Sequence, residues 1–260
     1  MTPQKTHLAS LETEICQVAR TEGIGSIYER LMLKRFFEKL ASTYHFNSVL
    51  EYQGLNITKG LDNLIFLNQG KKVTLYDKNI KSAKTNWPFT LKPQFASSSP
   101  KEKRFDLVWN FAVIQLQPQI VDRMIALSRK FILIFTPNVF NFGLPVHQLY
   151  HLLTRTSCRH AERGSIYLRT PWGIRQFARH KGIRLITAGF IDLPLLPDIG
   201  FSLAELKTRL GLKSSPKSTS SLSPQFTSKL KFLNTLEKLS LPPVIQFPFA
   251  HHIYLLGQVK

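Results

Sequence analysis

The residues best placed to do chemistry stand at the ends of short β-rich runs. Glu51 closes SVLEY at Ser48–Tyr52, and Asp77 closes KVTLYD 26 residues later. A strand-end carboxylate accepts two hydroxyl hydrogen bonds, which a lysine cannot do. The interval is close to the roughly twenty residues at which an acid meets ribose hydroxyls in dinucleotide-binding folds. An acid that only caps a strand-end turn and faces water has the same signature, so both readings of Asp77 stand at this point. Asn110 closes a third run, FDLVWN, and its amide suits either a ligand or a turn.

A second group follows further along. His147 and His151 are four residues apart with Tyr150 between them, and Cys158 and His160 complete four zinc-compatible side chains within 14 residues. Their spacing matches no standard zinc finger, so the expectation is that the histidines line a pocket as bases, or pack with Tyr150, with no metal bound. Arg155, Arg159, Arg163 and Arg169 fall in one stretch with His160 and Glu162. Guanidinium forks bind carboxylate or phosphate in pairs of bonds, which makes this stretch a candidate for an anionic acceptor or an RNA backbone; an arginine-rich solvated loop reads the same way.

These side chains need a scaffold, and 260 residues at 43% hydrophobic suffice for one substantial core. The 35 Lys+Arg against 16 Asp+Glu give a formal net charge of +19. Such a field attracts phosphate or anionic headgroups without specifying a fold, and cations spread along the whole chain also fit a dispersed solvated surface. Two distant cysteines, Cys16 and Cys158, are simplest as thiols in a reduced, cytoplasmic setting. No apolar run reaches the roughly 18 residues of a membrane span, and the first twenty residues hold no signal-type stretch.

The positioning elements alternate. Helical spacing covers the first 44 residues, broken at Gly23-Ile24-Gly25. Strands at Ser48–Tyr52, Lys72–Asp77, Phe105–Asn110, Lys130–Thr136 and Ile183–Phe190 are separated by helices at Thr58–Asn68, Pro118–Arg129 and Pro171–Gly182, the last capped by Thr170. Phe89–Phe95 is a residual strand weakened by Pro93. Lys213–Pro224, with six serines in twelve residues, is a flexible linker. An amphipathic helix at about Phe226–Leu239 and a last apolar run, Ala250–Val259, follow, the run joining the sheet at its edge with an antiparallel direction open to it. Strand–helix alternation of this kind implies an α/β, doubly wound, mostly parallel sheet.

In order and spacing, VLEYQG at Val49–Gly54, VTLYD at Val73–Asp77, FDLVWNFAVIQL at Phe105–Leu116 and ILIFTPN at Ile132–Asn138 resemble the class I S-adenosylmethionine-dependent methyltransferases, over roughly Phe46–Ala204 and the last ten residues. The resemblance implies a Rossmann-like core at 46–204, completed by a final strand at 246–260. A helical extension at 1–45 and a linker with helix at 205–245 flank it. It implies S-adenosylmethionine as cofactor, with Glu51, Gly54 and Asp77 on the cofactor, Asn110 nearest the reacting methyl, and His147, Tyr150 or His151 on a methyl acceptor. Two departures are visible. The usual Glu-x-Gly-x-Gly-x-Gly loop is here Glu51-Tyr52-Gln53-Gly54-Leu55-Asn56-Ile57, with Gly60 beyond, and the interval Asp77–Phe105 is short. The alternative carried forward is a non-catalytic relative that binds RNA or an anionic surface.

Overall fold

A computed structural model describes residues 24–78, 80–85, 87, 89–100, 104–145, 164–193, 232, 235 and 242–259. Its elements in chain order are α1 (Ile24–Thr43), β1 (Ser48–Tyr52), α2 (Leu55–Thr58), α3 (Leu64–Asn68), β2 (Lys72–Tyr76), α4 (Ile80–Thr85), β3 (Gln94–Ala96), β4 (Phe105–Phe111), α5 (Ile120–Leu127), β5 (Ser128–Pro137), α6 (Pro171–His180), β6 (Arg184–Ile191), α7 (Pro243–Gln246) and β7 (His252–Gln258). Single 3-10 turns lie at Leu61–Asn63 and Tyr167–Arg169.

Seven strands form one sheet in the order β3-β2-β1-β4-β5-β7-β6. The pairs from β3 to β5 are parallel, and β7 runs antiparallel to both β5 and β6. The doubly wound, mostly parallel α/β fold expected from the sequence is therefore present. One detail of placement differs: β7 is an interior strand, and the sheet edge belongs to β6. Burial explains it, because Ile253, Leu255 and Leu256 of β7 are nearly inaccessible whereas most of β6 is half-exposed. An interior strand is flanked by a neighbour on each side as well as covered on its faces, so its apolar side chains are more fully withdrawn from water than those of an edge strand.

Coverage of both faces is legible residue by residue in β4, whose seven residues are all buried. Val108 faces a cluster built with Val121 and Met124 of α5 and Ile174 and Ala178 of α6. Trp109, one residue on, faces the opposite way against Phe37 of α1, with ring centroids 5.0 Å apart. Phe37 also meets Phe66 of α3 at a tilt and Phe135 of β5 edge-on, so this face is closed by aromatic packing. Thr170 caps α6 as expected, its hydroxyl accepting from Gly173 N at 3.0 Å.

Two sequence expectations change in detail. The helix expected over Thr58–Asn68 is broken, because Lys59 and Gly60 both take left-handed backbone conformations (φ +53° and +77°) between α2 and α3. The residual strand expected at Phe89–Phe95 is three residues that begin immediately after Pro93, which cannot donate to a ladder.

The chain divides into two compact units: Leu33–Val139, Cys158–Ile191 and His251–Lys260 form the sheet unit, and Met1–Met32, Phe140–Ser157 and Asp192–Ala250 form the other. Within the second, Phe140 stacks on Phe247 at 4.6 Å, and Asn141 donates to Phe249 O at 2.8 Å while accepting from Gly143 N. The linker Lys213–Pro224 and, save Phe232 and Thr235, the helix at Phe226–Leu239 lie outside the described residues. Among the described residues no helix is long and apolar enough to cross a membrane.

Candidate functional site

In an open parallel sheet the ligand crevice opens beyond the carboxyl ends of the strands where the strand order reverses. Here that point lies between β1 and β4. The loops leaving these two strands carry the site, and both begin with a strained residue: Gln53 (φ +53°) after β1 and Ala112 (φ +53°) after β4. Such conformations in non-glycine residues persist only where the surroundings hold them.

What holds them is Asn110. It donates to Tyr52 O at 2.7 Å and to Gln53 O at 2.6 Å, and accepts from Val113 N at 3.3 Å. Both amide hydrogens are thus spent on stitching the β1 loop to the β4 loop. The side chain sets the distance between the two walls of the crevice.

Asp77 follows β2 on the other side of β1 and is 7% exposed. Its Oδ2 accepts from Leu55 N at 3.3 Å, and Gln53 N donates to Tyr76 O at 2.7 Å. The β1 loop is therefore pinned to the end of β2 as well as to β4, with the Asp77 carboxylate at the crevice edge.

Glu51 lies beneath this loop, fully buried. Oε1 shares a hydrogen bond with the Thr58 hydroxyl, and Oε2 accepts from Asn63 Nδ2 at 2.5 Å. Thr58 in turn reaches Gly54 O at 3.2 Å and accepts from Gly60 N at 3.0 Å, while Asn63 Oδ1 accepts from Trp109 Nε1 at 3.0 Å. Burial pushes the Glu51 carboxyl up to about 8; the Thr58 bond opposes the rise, Asp62 adds to it, the Asn63 bond opposes it and Asp77 adds to it. At neutral pH the carboxyl keeps its proton and can donate to Thr58, whose own hydrogen passes to Gly54 O. Gly54 is required by this packing, since a Cβ there would lie 2.7 Å from Glu51 Oε1. Gly60 is required twice over, by its positive φ and by a Cβ position 2.8 Å from Leu75 Cδ1.

The crevice thus brings Gly54, Asp77 and Asn110 together at one sheet edge with Glu51 under the loop. His147, Tyr150, His151, Cys158, His160, Arg155, Arg159 and Arg163 lie outside the described residues. Arg169, the member of the arginine stretch that is described, is buried. Thr58, Asn63 and Gln115 were missed by sequence reasoning. Gln115, in the loop after β4, is 1% exposed, donates to Ala112 O at 2.7 Å, and has a buried Oε1 with no partner among the described residues. No spacing rule singles out a glutamine or threonine in a turn. His252 was likewise unassigned: it opens β7 at the same edge, 4.7 Å from the Phe111 ring, and burial, followed by His251, lowers its imidazole to about 3.

The strand order, with β7 antiparallel between β5 and β6, and a crevice at the β1/β4 switch point make this the Rossmann-like fold of the class I S-adenosylmethionine-dependent methyltransferases. No protein-family model matches the chain, and no curated protein matches it. Similar solved structures include the plantazolicin methyltransferase BpumL in complex with SAH, at 15% identity over 99% of this chain and 91% of that one, TM-score 0.46. A putative methyltransferase from an antibiotic biosynthesis pathway of Anabaena variabilis aligns at 15% identity over 86% and 96%, TM-score 0.48. The 1,6-didemethyltoxoflavin-N1-methyltransferase of Burkholderia thailandensis, with bound 1,6-didemethyltoxoflavin and S-adenosylhomocysteine, aligns at 13% over 100% and 92%, TM-score 0.44.

Proposed function

We propose that the chain is an S-adenosylmethionine-dependent methyltransferase with its cofactor site in the β1/β4 crevice. The observation that supports this reading most is the Asp77 carboxylate, which stands at the crevice edge against a loop pinned from both sides. The donor set suits the cofactor: a carboxylate for vicinal ribose hydroxyls, and a loop whose backbone is held by Asn110 and by Glu51 from below. When bound, the cofactor supplies an electrophilic methyl on a sulfonium, so the protein's task is binding and in-line alignment. Asp77 accepts the ribose hydroxyls. Gly54 and its neighbours form the floor, and Glu51 acts as a positioning residue beneath them. Asn110 keeps the two loops at a fixed separation through its own bonds and places its backbone nearest the reacting group. His147, Tyr150 and His151 are proposed to contact the methyl acceptor and to take its proton, in a reduced, cytoplasmic setting.

Calorimetric titration of S-adenosylmethionine into the purified chain tests this directly. Saturable binding of one cofactor per chain, displaced by the demethylated product S-adenosylhomocysteine, is expected. Absence of heat for both ligands at high protein concentration would leave the fold without this function.

A further inference from the structure

The carboxyl edge of the sheet holds the buried acids Asp62 and Asp77 and the neutral Glu51, with Lys59 and Lys78 exposed nearby. At the amino edge cations follow one another: Lys71 and Lys72 at the start of β2, Arg104 before β4, Arg129 and Lys130 at the start of β5, and Arg184 at the start of β6. Lys72, Arg104, Arg129 and Arg184 are exposed, and Lys71 and Lys130 are half-exposed. We propose that this amino-terminal edge, opposite the crevice, is a binding surface for single-stranded nucleic acid.

Contiguity comes from the contacts themselves. Lys72 N donates to Asn47 O at 2.8 Å, and Lys71 Nζ donates to Phe46 O at 2.8 Å. Ser48 Oγ lies 3.4 Å from Arg104 O and 3.3 Å from Arg129 Nη2. Lys130 O accepts from Val259 N, and Arg184 hydrogen-bonds Gln258 on the next strand. From β2 to β6 the row crosses five strand spacings, about 24 Å at ~4.8 Å each. That length suits several nucleotides, within the range of about 4–16 that single-strand grooves occupy.

Local neutralisation falls short of this charge. Among the described residues Asp106 is the acid on the row, with a side chain 10% exposed; it turns inward to accept from Asn47 N at 2.9 Å and Ser48 N at 3.3 Å, and is shared by Arg129 at 3.5 Å and Lys130 at 3.8 Å. The carboxyl ends of α1, α5 and α6 also reach this edge, but each contributes only about half a negative charge. Four or so positive charges of the described residues therefore remain for an outside partner.

Two features favour nucleic acid over a lipid surface. Tyr44 and Phe131, half-buried with ring centroids 5.4 Å apart, lie along the row, and aromatic side chains are what bases of a single strand stack on. Of the large exposed apolar side chains described on the sheet unit, Leu91 lies before β3, outside the row, Leu116 follows β4, Ile166 and Tyr167 precede α6 and Trp172 is in its first turn, so among the described residues the row from β2 to β6 carries no apolar anchor of a membrane-inserting face.

Fluorescence anisotropy with a labelled twelve-nucleotide oligouridylate at low salt tests the proposal on the full chain. The triple variant Lys72→Glu, Arg104→Glu, Arg184→Glu is expected to lose at least tenfold in affinity and to flatten the salt dependence by about two units of slope, at ~0.7 per phosphate contact. The triple Lys78→Glu, Lys81→Glu, Lys84→Glu, with the same change in charge beyond the end of β2, is expected to lose less than threefold. If the first triple fails to fold by circular dichroism, the same three positions changed to Gln should still cost at least fivefold. Equal losses in both triples, no binding by the wild type, or binding to phosphatidylserine vesicles without binding to the oligonucleotide would each overturn the proposal.

Discussion

Asp77→Ala is expected to lower affinity for S-adenosylmethionine by at least tenfold while leaving the chain folded. Two hydrogen bonds from ribose hydroxyls to a charged carboxylate contribute about 1.5 to 3 kcal/mol each. Even half of one such pair exceeds the roughly 1.4 kcal/mol that corresponds to a factor of ten. Asp77 also accepts from Leu55 N at 3.3 Å, so alanine loosens the loop as well as removing the acceptor. Asp77→Asn separates the two roles: it keeps an oxygen for Leu55 N, loses the charge, and should fall between wild type and alanine. Calorimetry on the three proteins, with melting temperatures measured alongside, reads both effects. Identical affinities would remove Asp77 from the site.

The second large effect concerns pH and Glu51. A carboxyl whose value rises from 4.5 to about 8 on folding binds its proton more tightly in the folded chain. Its contribution to stability is complete below pH 4.5, declines as pH rises, and is gone above about pH 8. A shift of this size corresponds to a few kcal/mol, at about 1.4 kcal/mol per pKa unit. Glu51→Gln mimics the neutral acid, with an amide to donate to Thr58 and an oxygen to accept from Asn63. Urea unfolding at pH 5.5 and pH 8.5 should show the wild type losing stability between the two and the Gln variant losing less by a few kcal/mol, since every other titrating group is common to both proteins. Parallel losses would mean that Glu51 is ionised in the folded chain. Glu51→Leu should be destabilised at both pH values, because it strands Asn63 and Thr58 in a buried site.

The strands were legible because their composition is strong: β4 and β5 carry the apolar runs Leu107–Trp109 and Phe131–Phe135, which a sheet covered on both faces can bury. Thr170-Pro171 announced α6 through a cap and a proline in the first turn. The loop after β1 was less legible. Its residues form a helical pattern, yet Lys59 and Gly60 turn left-handed, and in place of the glycine loop of the methyltransferases that the sequence resembles stands a buried network of Glu51, Thr58 and Asn63. A sequence shows which residues are polar; it does not show that Asn63 joins Glu51 to Trp109 across 46 residues. The position of β7 was also hidden, because pairing partners far apart in sequence leave no periodic trace. Asp77 was singled out because its place at the end of a strand is itself a pattern, whereas the bonds of Asn110 between the two loops follow only from the carbonyls of Tyr52 and Gln53 that it meets.

The site itself is tested most directly by ultraviolet crosslinking of S-adenosylmethionine with a labelled methyl group, followed by peptide mapping. Label is expected in peptides that contain Tyr52–Gly60, Tyr76–Lys78 or Asn110–Val113, and excess S-adenosylhomocysteine should abolish it. Label confined to Gly164–Asp192, or labelling that S-adenosylhomocysteine does not suppress, would contradict a cofactor site between β1 and β4.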